Sequence, residues 1–323
     1  MDKTTMRISN STLTSLCDEF KKNNRIEPEK FEKYEVKRGL RNADGSGVMA
    51  GLTRICNVHG YVMNEGEKAP VEGRLIYRGI DINDLVGGCV SENRFGFEET
   101  AWLLLFGSLP SPQQLAKFTE ILSAYRELPE YFAEDMIIKA PSPNIMNKLA
   151  RSVLALYSYD DLPDDLSMEN VLRQSIELIA RLPSIMAYAY QVKRRHYDRE
   201  SMYFHPNVPG LSTAETILHS LRADSAYTEE EARLLDLCLM LHAEHGGGNN
   251  STFAARVLTS SGTDTYSAMG AAIGSLKGPK HGGANIKVME MLEYLKEGIR
   301  DWGDEDEVRA FLVRMINKEA GDR

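Results

Sequence analysis

The run EEEARLLDLCLMLHAEH, residues 229–245, passes straight into Gly246, Gly247 and Gly248, and this junction constrains the fold more than any other stretch. Thr228 and Glu231 stand at its start in the Thr-x-x-Glu pattern of a capping box, which satisfies two orphan N–H groups at a helix N-terminus. Ala232, Leu235, Leu239 and His242 then fall on one helical stripe with Leu234, Cys238 and Leu241 beside it, so the pattern predicts a well-buried helix. It should stop near His245, because glycine enters the left-handed conformation that ends helices at no steric cost. NNSTFAARVL restarts as a helix capped by Asn250 or Ser251.

The same punctuation recurs elsewhere. Ser111, Pro112 and Gln114 open SPQQLAKFTEILSAYREL with a capping box and a proline at the first helical position. FEETAWLLLFG reads as helix, and YSAMGAAIGSL carries enough small residues for close backbone packing against another helix or a second subunit. The exception lies in residues 51–85, where TRICNV and RLIYR flank a Gly/Glu/Pro connector and suggest a small sheet or hairpin. Residues 37–52, with the Asp44-Gly45-Ser46-Gly47 cluster, read as a loop after a charged N-terminal helical arm. The fold class expected is mainly α, multi-helical, with a small β-hairpin or sheet near residues 52–80.

A hydrophobic content of 42% with 26% charged residues is that of a globular protein, and no run approaches the ~18 apolar residues of a membrane span. The net charge of −9 argues against general binding to nucleic acid or to an anionic membrane, so an anionic ligand would need a local basic pocket. Cys17, Cys56, Cys89 and Cys238 form no C-x-x-C pair, which predicts free thiols rather than a disulfide framework or a zinc site. The N-terminus lacks an apolar core followed by a small-residue cleavage site, so the cytoplasm is the expected location.

Of the seven histidines, His59, His196, His205 and His219 have ordinary structural explanations. His242 and His245 have the i, i+3 spacing of a shared metal site, but HAEH is not H-E-x-x-H and no cysteine or carboxylate cluster completes a shell, so no metal is expected. His245 and His281 differ from the rest: each sits against glycines at a predicted helix boundary, where backbone can approach a ligand. Their ends are opposite. The C-terminal dipole of the helix ending at His245 favours an imidazolium that holds a carboxylate. The N-terminal dipole of NIKVMEMLEYLKEG, just after His281, favours a neutral imidazole that donates a hydrogen bond to a developing enolate. Two helix-terminal histidines satisfied by backbone carbonyls is the competing reading.

LHAEHGGGNNSTFAARV followed by TYSAMGAAIGSLKGPKHGGAN, with the two histidines 36 positions apart, resembles the citrate synthases. RLIYRGIDINDLV and FEETAWLLLFGSLPS resemble the same family, so the likeness covers most of residues 50–300 in order. It implies a homodimer with a large and a small domain that condenses acetyl-CoA with oxaloacetate and hydrolyses the thioester, with no cofactor beyond the acetyl-CoA substrate and no metal. Carried over by position, it places His245 and Asn249 on oxaloacetate, His281 on the thioester oxygen as the methyl group loses its proton, and Gly278, Lys280 and Gly282 in a loop along coenzyme A. On this basis residues 1–48 are an N-terminal arm and loop, 49–282 the large domain, and 283–323 the start of the small domain.

Two departures stand out. Gly246 replaces the glutamate that follows the first histidine in many members. The chain also ends at EAGDR, before the positions where the family places a second polarising histidine, the proton-abstracting aspartate and the carboxylate-clamping arginines. The expectation is therefore the N-terminal portion of a synthase, inactive by itself. A 2-methylcitrate synthase using propionyl-CoA is the alternative enzyme, since one methylene is worth only about 1–3 kcal/mol of discrimination. A non-catalytic dimerisation or binding module is the alternative of another class.

Overall fold

Each capping box read from the sequence forms with both of its reciprocal bonds in the computed structural model, which describes residues 27–33, 48, 51–64 and 67–319. The chain divides into two compact units, Met1–Ala50 and Gly51–Arg323. In the first, helix α1 (Pro28–Lys33) is described; the rest of the expected arm, and the loop at 37–52 apart from Val48, Gly51 and Leu52, lie outside the described residues.

The second unit opens with the expected sheet. Strand β1 (Cys56–Asn64) runs antiparallel to β2 (Glu67–Tyr77) with Cys56 opposite Tyr77, and β2 pairs with the short β3 (Ile80–Asp81). The Asp81 carboxylate then accepts the Asn83 N–H and starts α2 (Ile82–Ser91). Helix α3 (Phe97–Phe106) stops where Gly107 turns left-handed, at φ 86°, and α4 (Pro112–Tyr125) starts on the Ser111–Gln114 box. A π-helical turn (Ala133–Ile138) leads to α5 (Ile145–Leu156), the long α6 (Met168–Lys193), α7 (Thr213–Leu221) and α8 (Glu229–His242). Helices α9 (Asn250–Thr259), α10 (Thr265–Leu276), α11 (Ala284–Gly298) and α12 (Glu305–Ile316) follow. The fold is mainly α, and no helix among the described residues is long and apolar enough to cross a membrane.

Two apolar clusters matter for the site. One gathers Phe132, Val153, Leu178, Ile185 and Tyr266, joining α5, α6 and α10. The other gathers Cys56, Tyr77, Leu85, Leu103 and Met240, joining the sheet, α2, α3 and α8. Among the small residues of α10, Gly270 serves packing inside the chain, since a Cβ there would lie 3.0 Å from Leu154 on α5. A polar node locks α10 to α6, because the Asp160 carboxylate accepts from Tyr266 (2.7 Å), Gln174 (2.9 Å) and the Arg173 guanidinium (2.7 Å). Burial alone would raise its pKa, but the Leu162 N–H and these side-chain donors outweigh burial and hold it at about 2.

Three local expectations need correction. Helix α8 ends at His242, so His245 lies three residues past the helix instead of closing it. Past His242 the Tyr77 hydroxyl and the Glu244 carboxylate, in place of the helical ladder, engage the backbone. The buried line of α8 is Ala232, Asp236 and Met240, whereas Leu234, Cys238 and Leu241 are exposed. A carboxylate belongs on that line because Asp236 accepts the Gly96 N–H (2.6 Å) and the Phe97 N–H (3.1 Å), capping α3, whose N-cap glycine has no side chain to do so. Finally, α9 is capped by Asn249, not by Asn250 or Ser251: the Asn249 Oδ1 accepts the Thr252 N–H at 2.9 Å.

Burial pushes the Asp236 carboxyl up to about 6, the Gly96 N–H pulling against it and the Glu98 charge adding to it. An aspartate in the unfolded chain titrates near 3.9, so between about pH 4 and 6 the folded state binds more protons than the unfolded state. Stability therefore falls as pH rises through that window, by on the order of 3 kcal/mol from this group. Urea unfolding of the wild type and Asp236→Asn across pH 4–7 should show the wild type losing this increment relative to the variant, whose own offset does not vary with pH. Parallel pH profiles would contradict the assignment.

Candidate active site

The loop after α8 and the turn after α10 bring His245 and His281 together. Their ring centroids lie 6.2 Å apart with the planes at 62°, an edge-to-face approach. His281 is partly buried and its Nε2 is 2.8 Å from the Ser251 Oγ on the first turn of α9, whereas His245 is exposed. A hydroxyl donating to Nε2 leaves the ring proton on Nδ1, free to donate to a ligand oxygen.

The backbone around His245 is closely held. Glu244 Oε1 accepts the His245 N–H (3.0 Å) and the Gly246 N–H (2.6 Å), so this carboxylate is occupied by its own loop. Gly246 sits at φ 101°, where an L side chain is strained, and its absent Cβ would lie 3.3 Å from Val58 of β1. Asn249 closes the loop: Nδ2 donates to the Gly246 carbonyl (2.6 Å) and to Thr252 Oγ1 (2.9 Å) while Oδ1 caps α9. With its amide so engaged, any ligand contact through Asn249 competes with those bonds.

The turn carrying His281 is built the same way. Gly278 N–H donates to the Ser275 carbonyl (3.1 Å) and His281 N–H to the Gly278 carbonyl (3.0 Å). A Cβ on Gly282 would lie 2.1 Å from the Leu276 carbonyl oxygen, and one on Gly283 would lie 2.8 Å from the Pro279 Cα. The chain can reverse onto the end of α10 only with glycine at 282, which gives that residue a structural requirement independent of any ligand.

Both histidines open into a cavity of about 940 Å³. One wall is Asn144–Met146 at the start of α5, another is Tyr190 and Lys193 at the end of α6, and Lys277 and Gly282 complete it beside His281. Of the residues expected along the loop, Gly282 lines the cavity, whereas Gly278 and the exposed Lys280 do not. Lys193 pairs with Asp198 at 2.7 Å. The lining offers Lys277 and imidazoles as hydrogen-bond donors, while Lys193 is held by Asp198 and the one acidic side chain, Glu244, is turned to backbone N–H groups, so a polar ligand can be received there. A smaller pocket of about 330 Å³ lies on the other side of the His245 loop, between β1 and Gly246–Asn249.

The family model described as citrate synthase, C-terminal domain, matches residues 42–323. The chain belongs to the citrate synthase family. The citrate synthase of Haloferax volcanii is 34% identical over 273 residues, covering 83% of this chain and 64% of that protein. The 2-methylcitrate synthase 1 of Corynebacterium glutamicum is 32% identical over 259 residues, covering 80% and 61%. Among solved structures, the citrate synthases of Pyrobaculum aerophilum and Thermotoga maritima superpose with TM-scores of 0.64 and 0.62 at 28% identity, covering 80% and 85% of this chain and 61% and 64% of theirs. The chain therefore spans under two thirds of the length of these citrate synthase relatives.

The sequence points to the two histidines and, through the family resemblance, to Asn249, but not to Ser251 as the partner of His281, the cavity walls from α5 and α6, or Tyr77 beneath the loop. Asn144 and Tyr190 sit in helix-end contexts that no local pattern marks, whereas Lys193 opens the basic run 193–195, which reads from the sequence as a solvated helix end favoured by the C-terminal dipole and which the structure instead sets in the cavity wall. The glycine geometry yields a direct test. Gly282→Ala should lower the urea midpoint by more than 2 kcal/mol equivalent and disturb His281, whereas Gly248→Ala, with open space around its Cβ, should fall within about 0.5 kcal/mol of wild type. Equal tolerance of both would show that the 278–283 turn is held less closely than described.

Proposed function

We propose that this chain carries the oxaloacetate- and thioester-binding half of a synthase that condenses acetyl-CoA with oxaloacetate and hydrolyses the product thioester to citrate and coenzyme A. The observation that carries this reading is the facing pair His245–His281 with Ser251 on His281 Nε2, both rings opening into one cavity of about 940 Å³. In this reading His245 holds a carboxylate of oxaloacetate. His281, its Nε2 occupied by Ser251, donates from Nδ1 to the thioester carbonyl oxygen as negative charge grows there, and such preorganised donors act most strongly where water is excluded. Gly282 lets that turn reverse, and Gly278 and Lys280 lie along the path proposed for coenzyme A.

Acetyl-CoA and oxaloacetate enter as substrates, with no cofactor and no metal. We further propose that the segment works within a longer homodimeric synthase in the cytoplasm, residues 49–282 forming its large domain and 283–323 beginning the small one; the coverage of the relatives supports a longer parent. The second reading, a 2-methylcitrate synthase, is favoured by the Corynebacterium relative of that name, whose 32% identity is close to the 34% of the Haloferax citrate synthase.

Calorimetric titration of the 323-residue chain with oxaloacetate tests the binding role. His245→Ala should weaken the affinity at least tenfold, and His281→Ala should leave it nearly intact, because the partner of His281 is the thioester. Wild-type affinity in His245→Ala would overturn the assignment. In a full-length synthase carrying this segment, His281→Ala should lower kcat by a factor on the order of 10² or more. Thiol release should also give a higher kcat/KM with acetyl-CoA than with propionyl-CoA, and a clear propionyl preference would favour the second reading.

A further inference from the structure

A side chain buried beneath the histidine loop belongs to neither histidine motif. Tyr77, at the last position of β2, is fully buried, and its hydroxyl lies 2.8 Å from the Glu244 carbonyl, 3.2 Å from the Glu244 N–H, 3.1 Å from the Met240 carbonyl and 3.3 Å from the Leu241 carbonyl. A helix C-terminus leaves its last carbonyls without intrahelical donors, and solvent usually serves them. Here the Ala243 N–H reaches the Met240 carbonyl (3.3 Å), and a phenol from inside the core sits among the Met240, Leu241 and Glu244 carbonyls with one proton to give; burial pushes it up to about 12, so it remains a protonated donor at any physiological pH.

A hydroxyl donates one hydrogen bond and accepts others. Donating to the Glu244 carbonyl and accepting from the Glu244 N–H, Tyr77 fixes the peptide planes on both sides of residue 244. The second of those planes contains the His245 nitrogen. Residues of β1 and the segment before it extend the support: Cys56, the cross-strand partner of Tyr77, lies against Gly246, Val58 would meet a Cβ on Gly246 at 3.3 Å, and Thr53, ahead of the strand, would meet one on Gly247 at 3.3 Å.

We propose that Tyr77 is a positioning residue for His245: its hydroxyl, with the β1–β2 edge around it, stops α8 at His242 and sets the direction in which the His245 imidazole enters the cavity. Its bearing on ligand affinity rests on the reading of His245 as the oxaloacetate-binding residue; its bearing on loop geometry does not. The glutamate N–H and carbonyl at 244 have no other partner of comparable position, so a phenylalanine at 77 keeps the ring packing and releases the loop.

The experiment compares the 323-residue chain with Tyr77→Phe by NMR of the imidazole and loop amide resonances and by calorimetric titration with oxaloacetate. Leu122→Ala, a truncation on the buried face of α4, serves as a control that lowers stability away from the loop. In Tyr77→Phe the His245 imidazole and Gly246 amide resonances should shift and broaden, and the oxaloacetate Kd should rise about fivefold to tenfold, the worth of one net hydrogen bond. Leu122→Ala should lower the melting temperature without either effect. If the wild type does not bind oxaloacetate, the functional reading fails while the resonances still decide the role of Tyr77. Unchanged His245 and Gly246 resonances in folded Tyr77→Phe would overturn the proposal. Should that variant not fold, exchange in the wild type decides: slow exchange of the Glu244 amide and the Tyr77 hydroxyl proton supports the proposal, and fast exchange of both overturns it.

Discussion

Where α8 stops determines what the rest of the site can be. The helix is held near its middle by a buried carboxylate, Asp236, which takes the first N–H groups of α3, and at its end by a buried phenol, Tyr77. Between these anchors lies the fully buried Met240, whose sulfur, together with Cys89, presses against Gly96 so closely that a Cβ there would stand 2.5 Å away. Such close contact from both ends gives α8 little freedom to slide, since well-packed interiors transmit a displacement rather than absorb it. The consequence is a loop, Ala243–Asn249, that begins and ends at defined points: Glu244 and Asn249 close its backbone bonds at either side of the glycines.

The second histidine arrives by a different route. Helices α9 and α10 pack against each other, α10 packs on α5 through Gly270, and the Asp160–Tyr266 bond ties α10 back to α6. The turn after α10 can then reverse only through glycine, which delivers His281 to Ser251. Two side chains 36 positions apart are thus brought within 6.2 Å by packing, while the walls of the cavity come from helices much earlier in the chain. Preorganisation of this kind is what a site needs in order to act on charge that develops only during reaction.

Much of this was legible beforehand, and the reasons differ by element. Capping boxes at Ser111 and Thr228 are local chemistry, a side chain and an N–H three residues apart, and both formed as read. The sheet followed from β-rich pieces on either side of a connector. The end of α8 was misplaced by three residues because the glycines advertise a stop, while the group that stops the helix, Tyr77, is 167 residues from Glu244 and invisible to any window. Asp236 was hidden for the same reason: on a helical wheel it interrupts an apolar stripe, and only the tertiary contact with Gly96 explains why a carboxylate sits there. His245 and His281 were found because helix ends and glycines mark them locally, whereas Asn144, Tyr190 and Lys193 acquire their place only from the fold.

The central claim is that His245 and His281 together form one ligand-binding face. It is tested most directly by titrating oxaloacetate into the 323-residue chain while following every imidazole by NMR. The account predicts that His245 moves first and furthest, that His281, 6.2 Å away, responds at the same ligand concentration, and that His59, His196, His205 and His219 stay in place. Perturbation of those four without His245, or saturable binding that leaves both His245 and His281 unmoved, would contradict it.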